Sequence, residues 1–172
     1  MASKRAAAAE ARVLGARSEW IVCHCDGHRF GVPVDGVREI VRGRPVVRLP
    51  GCGSGVHGLV NLRGRLLTVI DLGAALGLRA SAGEAGHRFL VVEQGDRRVG
   101  LAVEGVHGLT ARIGMRPRRS DGEGSERAGL AVPPAVLEAF GESAEHVLGI
   151  GEWRGEPFVA LDPAAVVGRF FV

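Results

Sequence analysis

Short apolar runs of valine, leucine and isoleucine, broken at close intervals by glycine, recur from Ile21 almost to the end of the chain. Runs of that length bounded by turn residues predict strands with tight connections rather than long helices. The stretch "IVCHCDGHRFGV" makes the pattern concrete. Asp26-Gly27 predicts a two-residue hairpin turn, because glycine supplies the positive φ such turns demand. That register sets Cys25 opposite His28, Cys23 opposite Phe30 and Ile21 opposite Val32. Side chains two apart point the same way along a strand, so one face of the hairpin is apolar and directed to a core.

The pattern occurs twice. Ile21 to Ile40 aligns with Leu90 to Leu109 at a constant offset of 69, and Val22, Arg29, Gly31, Val34, Gly36 and Val37 meet identical residues there. In this second copy the turn is Gly95-Asp96, with Val92 opposite Val99 and Leu90 opposite Leu101. Gly58 to Ala75 aligns with Gly149 to Val166 at an offset of 91, matching Gly58, Arg63, Gly64, Asp71 and Ala74. The offsets differ by 22, which predicts an insertion in the second copy, and the polar stretch Arg116 to Gly129 reads as a surface loop that supplies it. Each second half reads as strand, Arg-Gly turn, strand, and then an aspartate before a short helical pattern, "LGAALGL" or "PAAVVG". Asp71 and Asp162 are therefore expected to cap helices by accepting free backbone N–H groups, not to act as catalytic acids. Pro163 suits the first helical position. Two copies of four or five short strands, each too small to hold a core alone, predict an all-β, internally duplicated domain of two small packed barrels. The repeat halves run over about 20–78 and 88–169, within a domain of 19–172.

Composition narrows the function class. The length of 172 residues fits one domain or two small lobes. Net charge is +3, and Lys4 is the single lysine beside many arginines, which does not read as a nucleic-acid footprint. A binder of single strands would add stacking aromatics, but this chain has no tyrosine, and its six phenylalanines and two tryptophans fall mostly in predicted strands. Runs of about 18 uninterrupted apolar residues, as a membrane span needs, are absent. Glu10 and Arg12 interrupt the alanine-rich start, so residues 1–18 read as a flexible tail rather than a signal peptide. Three cysteines without an export signal favour a reducing cytoplasm.

Two stretches carry a resemblance. "GVREIVRGRPVVRLP" followed by "HGLVNLRGRLLTVIDL" is similar to the central motif of CheW-like proteins, the coupling proteins of bacterial chemotaxis. The resemblance runs from about Trp20 to Arg169 and implies a pair of SH3-like five-stranded β-barrels with short helices. It also implies a non-enzymatic, cofactor-free adaptor in the cytoplasm, associated with receptor arrays at the inner membrane. Such an adaptor joins the cytoplasmic tips of methyl-accepting chemoreceptors to the regulatory domain of a CheA-type histidine kinase. Matching the motif residue by residue places partner contacts at Val37, Arg38, Glu39, Ile40 and Arg42, and at Gly58, Asn61, Leu62 and Arg63. Glu39 and Arg63 are the leading positions, because an arginine can hold a partner's carboxylate through two parallel hydrogen bonds. Gly64 is expected to meet the backbone demand of the turn. Arg38, Arg42, Arg44 and Arg48 surround the face, where charges set association rate and partner choice. Thr68 stands where the family usually has proline.

Other readings compete with this one. An adaptor of a non-flagellar motility or developmental array would use the same fold. A metal- or thiol-dependent protein would use the dense "CHCDGH" stretch, with Cys23, Cys25 and His28 as ligands. Zinc sites take a fourth ligand and usually paired-cysteine loops, and Val92, Gln94 and Arg97 fill the equivalent positions of the second copy, which favours hairpin packing. Cys52 with His57 as its base would make a thiol nucleophile, but the glycines at 51, 53 and 55 give little to hold such a pair in place.

Overall fold

A computed structural model of the chain describes residues 19–80, 86–110 and 138–171. The N-terminal tail and the Arg116 to Gly129 insertion lie outside these described residues. The first half supplies β1 (Trp20–Cys25), β2 (His28–Pro33), β3 (Val37–Arg42), β4 (Val56–Leu62), β5 (Arg65–Asp71) and the short helix α1 (Leu72–Ala75). The second half repeats the series as β6 (Arg88–Gln94), β7 (Arg97–Val103), β8 (Gly105–Thr110), β9 (Val147–Trp153), β10 (Glu156–Leu161) and α2 (Pro163–Gly168).

Both predicted hairpin registers are observed. Cys25 pairs with His28, Cys23 with Phe30 and Ile21 with Val32, while Val92 pairs with Val99 and Leu90 with Leu101. Asp26 and Gly27 both adopt positive φ, 49° and 75°, the conformation that matches the right-handed twist of the flanking strands. The aspartates cap as expected. Asp71 accepts from the backbone N–H of Ala74, and Asp162 accepts from those of Ala164 and Ala165, with Pro163 opening α2.

The strands form two five-stranded sheets, in the orders β8-β1-β2-β10-β9 and β3-β6-β7-β5-β4. Neither sheet corresponds to one repeat half. Each takes its central hairpin from one half and the other three strands from the other, joined by the parallel pairs β2–β10 and β5–β7. Each sheet therefore draws on both repeat halves. The crossing occurs at the one-turn 3-10 helix Val34–Gly36, which follows Pro33 and directs the chain from one sheet to the other. By repeat equivalence the two sheets have the same strand order, so the duplication is a pseudo-twofold with exchanged hairpins.

The central hairpins are buried on both faces, which the reading of one apolar face did not anticipate. Ile21, Cys23, Phe30 and Val32 of one hairpin and Leu90, Val92, Val99 and Leu101 of the other meet in a core shared between the sheets. Their alternate residues point the opposite way. Trp20 and Val22 pack with Phe158 and Ala160 from the same sheet, and Phe89 and Val91 pack with Val60, Leu67 and Val69 in theirs. Strands that are not neighbours in the ladder can meet in this way only if each sheet curls over its own apolar cluster. Gly31 is a position where this requires glycine, because a Cβ there would lie 2.3 Å from the Phe158 ring. Its repeat partner Gly100 lies under Leu67, the repeat partner of Phe158. The glycine identity found in the sequence alignment thus has a packing cause.

His146 is buried, and neither ring nitrogen has a hydrogen-bond partner among the described residues. Burial, reinforced by Arg169 and opposed by Glu145 and Asp162, lowers its pKa below the ordinary value. The unfolded chain therefore takes up this proton first as pH falls through about 6.5, and stability declines below that value. Urea midpoints are expected to drop on going from about pH 7.5 to 5.5, and His146→Phe is expected to shrink that drop. Some slope remains, since His57 and His107 shift in the same direction. Phe158→Ala is expected to cost about 3–5 kcal/mol in urea denaturation by emptying the centre of one curled sheet.

Candidate functional site

β3 alternates along its length. Val37, Glu39 and Val41 turn partly inward, whereas Arg38, Ile40 and Arg42 form an exposed row. Ile40 is 41% exposed between the two arginines, so this face is both apolar and basic. β3 and β4 are opposite edges of their sheet, yet the curl brings them together, and the contact is made by the two leading candidate residues. Arg63 Nη2 lies 3.1 Å from Glu39 Oε2. Arg63, which the sequence offered as a holder of a partner's carboxylate, here meets a carboxylate of its own chain.

The turn that carries Arg63 is built for this reach. Arg63 and Gly64 have φ of 53° and 83°, so both central positions are left-handed and Gly64 alone does not meet the backbone demand. Asn61 Oδ1 accepts a hydrogen bond from Gly64 N at 2.8 Å and pins the turn. Arg154-Gly155 repeats the same geometry in the other sheet, with φ of 54° and 81°.

The remaining candidates separate by environment. Gly58 is buried, and a Cβ on it would lie 2.2 Å from the Val47 carbonyl oxygen. Its role is to let Val47 bridge Leu59 on the edge of β4 through two backbone hydrogen bonds of 2.8 and 2.9 Å. Leu62 and Val37 are half-buried, and Leu62 packs on the inner cluster. Arg38, Ile40, Arg42, Asn61 and Arg63 are the exposed members. Arg38 is 3.5 Å from Glu93, a carboxylate that also receives Arg98. Sequence reasoning missed Val47 and Leu66, which are 69% and 73% exposed. Alternation in "RLLTVID" gives a signal for Leu66, since it must face away from the buried Leu67.

The dense "CHCDGH" stretch resolves into packing. Cys23 and Cys25 are both buried in the shared core, and Cys23 Sγ donates to the Phe30 carbonyl at 3.6 Å. Burial, and then the neighbouring Cys25, push the Cys23 thiol pKa well up, the opposite of what a thiolate ligand or nucleophile requires. His28 stands at the exposed hairpin end. Among the described residues, no group of three or more His, Cys, Asp or Glu side chains is arranged to hold a metal ion. Cys52 is exposed and His57 half-buried, its pKa lowered first by burial and then by Arg48.

Comparison with known proteins places this site in context. The CheW-like domain family matches residues 19–115. Protein FrzA of Myxococcus xanthus is 31% identical over 159 residues, covering 90% of this chain and 85% of that protein. Protein PilI of Pseudomonas aeruginosa is 39% identical over 83 residues, and chemotaxis protein CheW of Rhizobium meliloti is 34% identical over 88. Those two matches cover 48% and 51% of this chain, and span 47% and 57% of the relatives' length. The crystal structure of the scaffolding protein TtCheW from Thermoanaerobacter tengcongensis superposes with a TM-score of 0.68, covering 87% of each chain at 20% identity.

The Glu39–Arg63 pair is exposed on the arginine side, so it is expected to add only about 0–1 kcal/mol of coupling in a double-mutant cycle of stability. The check is urea denaturation of Glu39→Arg, Arg63→Glu and the charge-swapped double variant, with the coupling shrinking as salt is raised.

Proposed function

Because the chain belongs to the CheW-like domain family, we propose that it is a non-enzymatic adaptor that couples chemoreceptor tips to the regulatory domain of a CheA-type histidine kinase. The observation that carries the reading is the joined edge of β3 and β4. There the Glu39–Arg63 pair sets the outward row Arg38, Ile40, Arg42 beside the pinned Asn61–Gly64 turn, while the β3–β6 ladder holds the strand. An apolar side chain between arginines, on a strand laddered to its neighbour, suits a protein contact whose centre is apolar and whose rim selects by charge. Nothing in this arrangement needs a cofactor.

The work of such an adaptor is conformational. A receptor state changes the kinase only if it alters the affinity or geometry of the adaptor's contact with it, so the contact surface must be stiff enough to pass a bias on. Ladder hydrogen bonds to β6 along one side of β3 supply that stiffness. The reading places the protein on the cytoplasmic side of receptor arrays, and no helix among the described residues is long and apolar enough to cross a membrane. A kinase of a non-flagellar motility or developmental array is the second reading, supported by relatives named PilI and FrzA beside those named CheW.

Calorimetric titration with the regulatory domain of a CheA-type kinase from the same organism tests the proposal. Micromolar or tighter binding is expected, weakened about tenfold or more by Ile40→Glu in a still-folded variant. The swapped double variant separates two roles for the ion pair. If it binds as the wild type does, the pair serves the seam; if it stays weak while each single variant is also weak, Arg63 or Glu39 meets the partner directly. Unchanged binding by Ile40→Glu would remove β3 from the interface.

A further inference from the structure

The two sheets close their edges with different chemistry at equivalent positions. Where the seam of the β3-β6-β7-β5-β4 sheet carries Glu93 beside Arg38 and Glu39 beside Arg63, the other sheet carries His24, His107, Gly108 and Arg154. His24 on β1 and His107 on β8 have ring centroids 4.6 Å apart, and His107 lies 5.3 Å from the Trp153 ring at the end of β9. Arg154 completes the stack, with its guanidinium carbon 4.7 Å from the Trp153 ring centroid. Since β8 and β9 are opposite edges of that sheet, the stack bridges its opening just as the Glu39–Arg63 pair does in the other. Gly105 makes room for it, since a Cβ there would lie 2.5 Å from the His24 ring.

We propose that this His24–His107–Trp153–Arg154 stack is a pH-sensitive latch, closed while His107 is neutral and released when His107 is protonated. The charges facing it decide the direction. Glu104 Oε2 is 4.0 Å from His24 Nε2, while its other oxygen accepts from the Asp26 backbone N–H, so this carboxylate is engaged on the His24 side of the stack. Arg29, the ladder neighbour of His24, is occupied by Glu156 at 3.1 Å. Among the described residues, no carboxylate pairs with His107. A proton there meets the neighbouring His24 and Arg29 rather than a carboxylate. Burial, then His24 and Arg29, hold the His107 pKa below its ordinary value, which means that the opened seam binds the proton better than the closed one. The latch therefore loosens as pH falls below about 6.5. The other seam holds no histidine at the equivalent positions, which are Glu93 and Arg38, so the device acts on one sheet alone.

The test uses the full chain and compares hydrogen exchange of β8 and β9 with that of β3 and β4 at about pH 7.5 and about pH 5.5, corrected for intrinsic exchange. The expected result is a several-fold loss of protection in β8 and β9 at the lower pH, with little change in β3 and β4. His107→Gln should abolish the difference, and His146→Gln should leave it. Equal loss in both sheets, or the same response in wild type and His107→Gln, would overturn the proposal. If the variant does not fold, the wild type still decides by NMR. The Trp153 indole N–H resonance should shift with the same midpoint as the His107 ring, and an indole signal that ignores that titration would contradict the latch.

Discussion

Neither half of this chain can complete a sheet by itself. Each central hairpin, β1–β2 or β6–β7, is flanked on both sides by strands of the other half, and each half's remaining strands find their parallel partner only in the other's hairpin. The rest of the structure follows from that exchange. The hairpins sit in the middle of the molecule, buried on both faces, so their residues are almost continuously apolar from Trp20 to Cys23 and from Phe89 to Val92. The shared core between the sheets and the two clusters inside their curls are three layers of one packing problem, and removing either half would expose all three.

A curled sheet whose edge strands do not pair leaves an opening, and the side chains that close it lie at the surface. The two seams therefore have the largest freedom to differ while the interior repeats. In one sheet the closure is an ion pair next to an exposed row of arginine and isoleucine. In the other it is a stack of two histidines, a tryptophan and an arginine. A duplicated fold with unlike seams gives an adaptor two surfaces of similar shape and different chemistry.

Much of this was legible in the residues. Period-two alternation and the Asp26-Gly27 and Gly95-Asp96 turns set both hairpin registers, because a slip of one residue would turn Ile21, Cys23 and Phe30 outward. The aspartates before two short helical patterns announced their caps through local chemistry. The hairpin exchange was not legible. Equivalent strands carry the same pattern in both copies, so nothing local says which hairpin joins which three strands. Gly58 and Leu62 were singled out as contact residues from the motif alone, which did not show that the fold also uses the first for a close backbone approach and the second for packing. Arg63 and Glu39 were each singled out, but their pairing depends on sheet curl, which brings residues from opposite edges together.

The central claim is that the β3 face beside the Glu39–Arg63 seam meets the kinase. Amide chemical-shift mapping of the isotope-labelled chain, with the unlabelled regulatory domain of the CheA-type kinase added, tests it most directly. The account predicts that Arg38, Ile40, Arg42, Asn61 and Arg63 shift or broaden together, with the shared core around Cys23 and Leu90 unmoved. Saturable changes confined to other surfaces, with β3 silent, would contradict it.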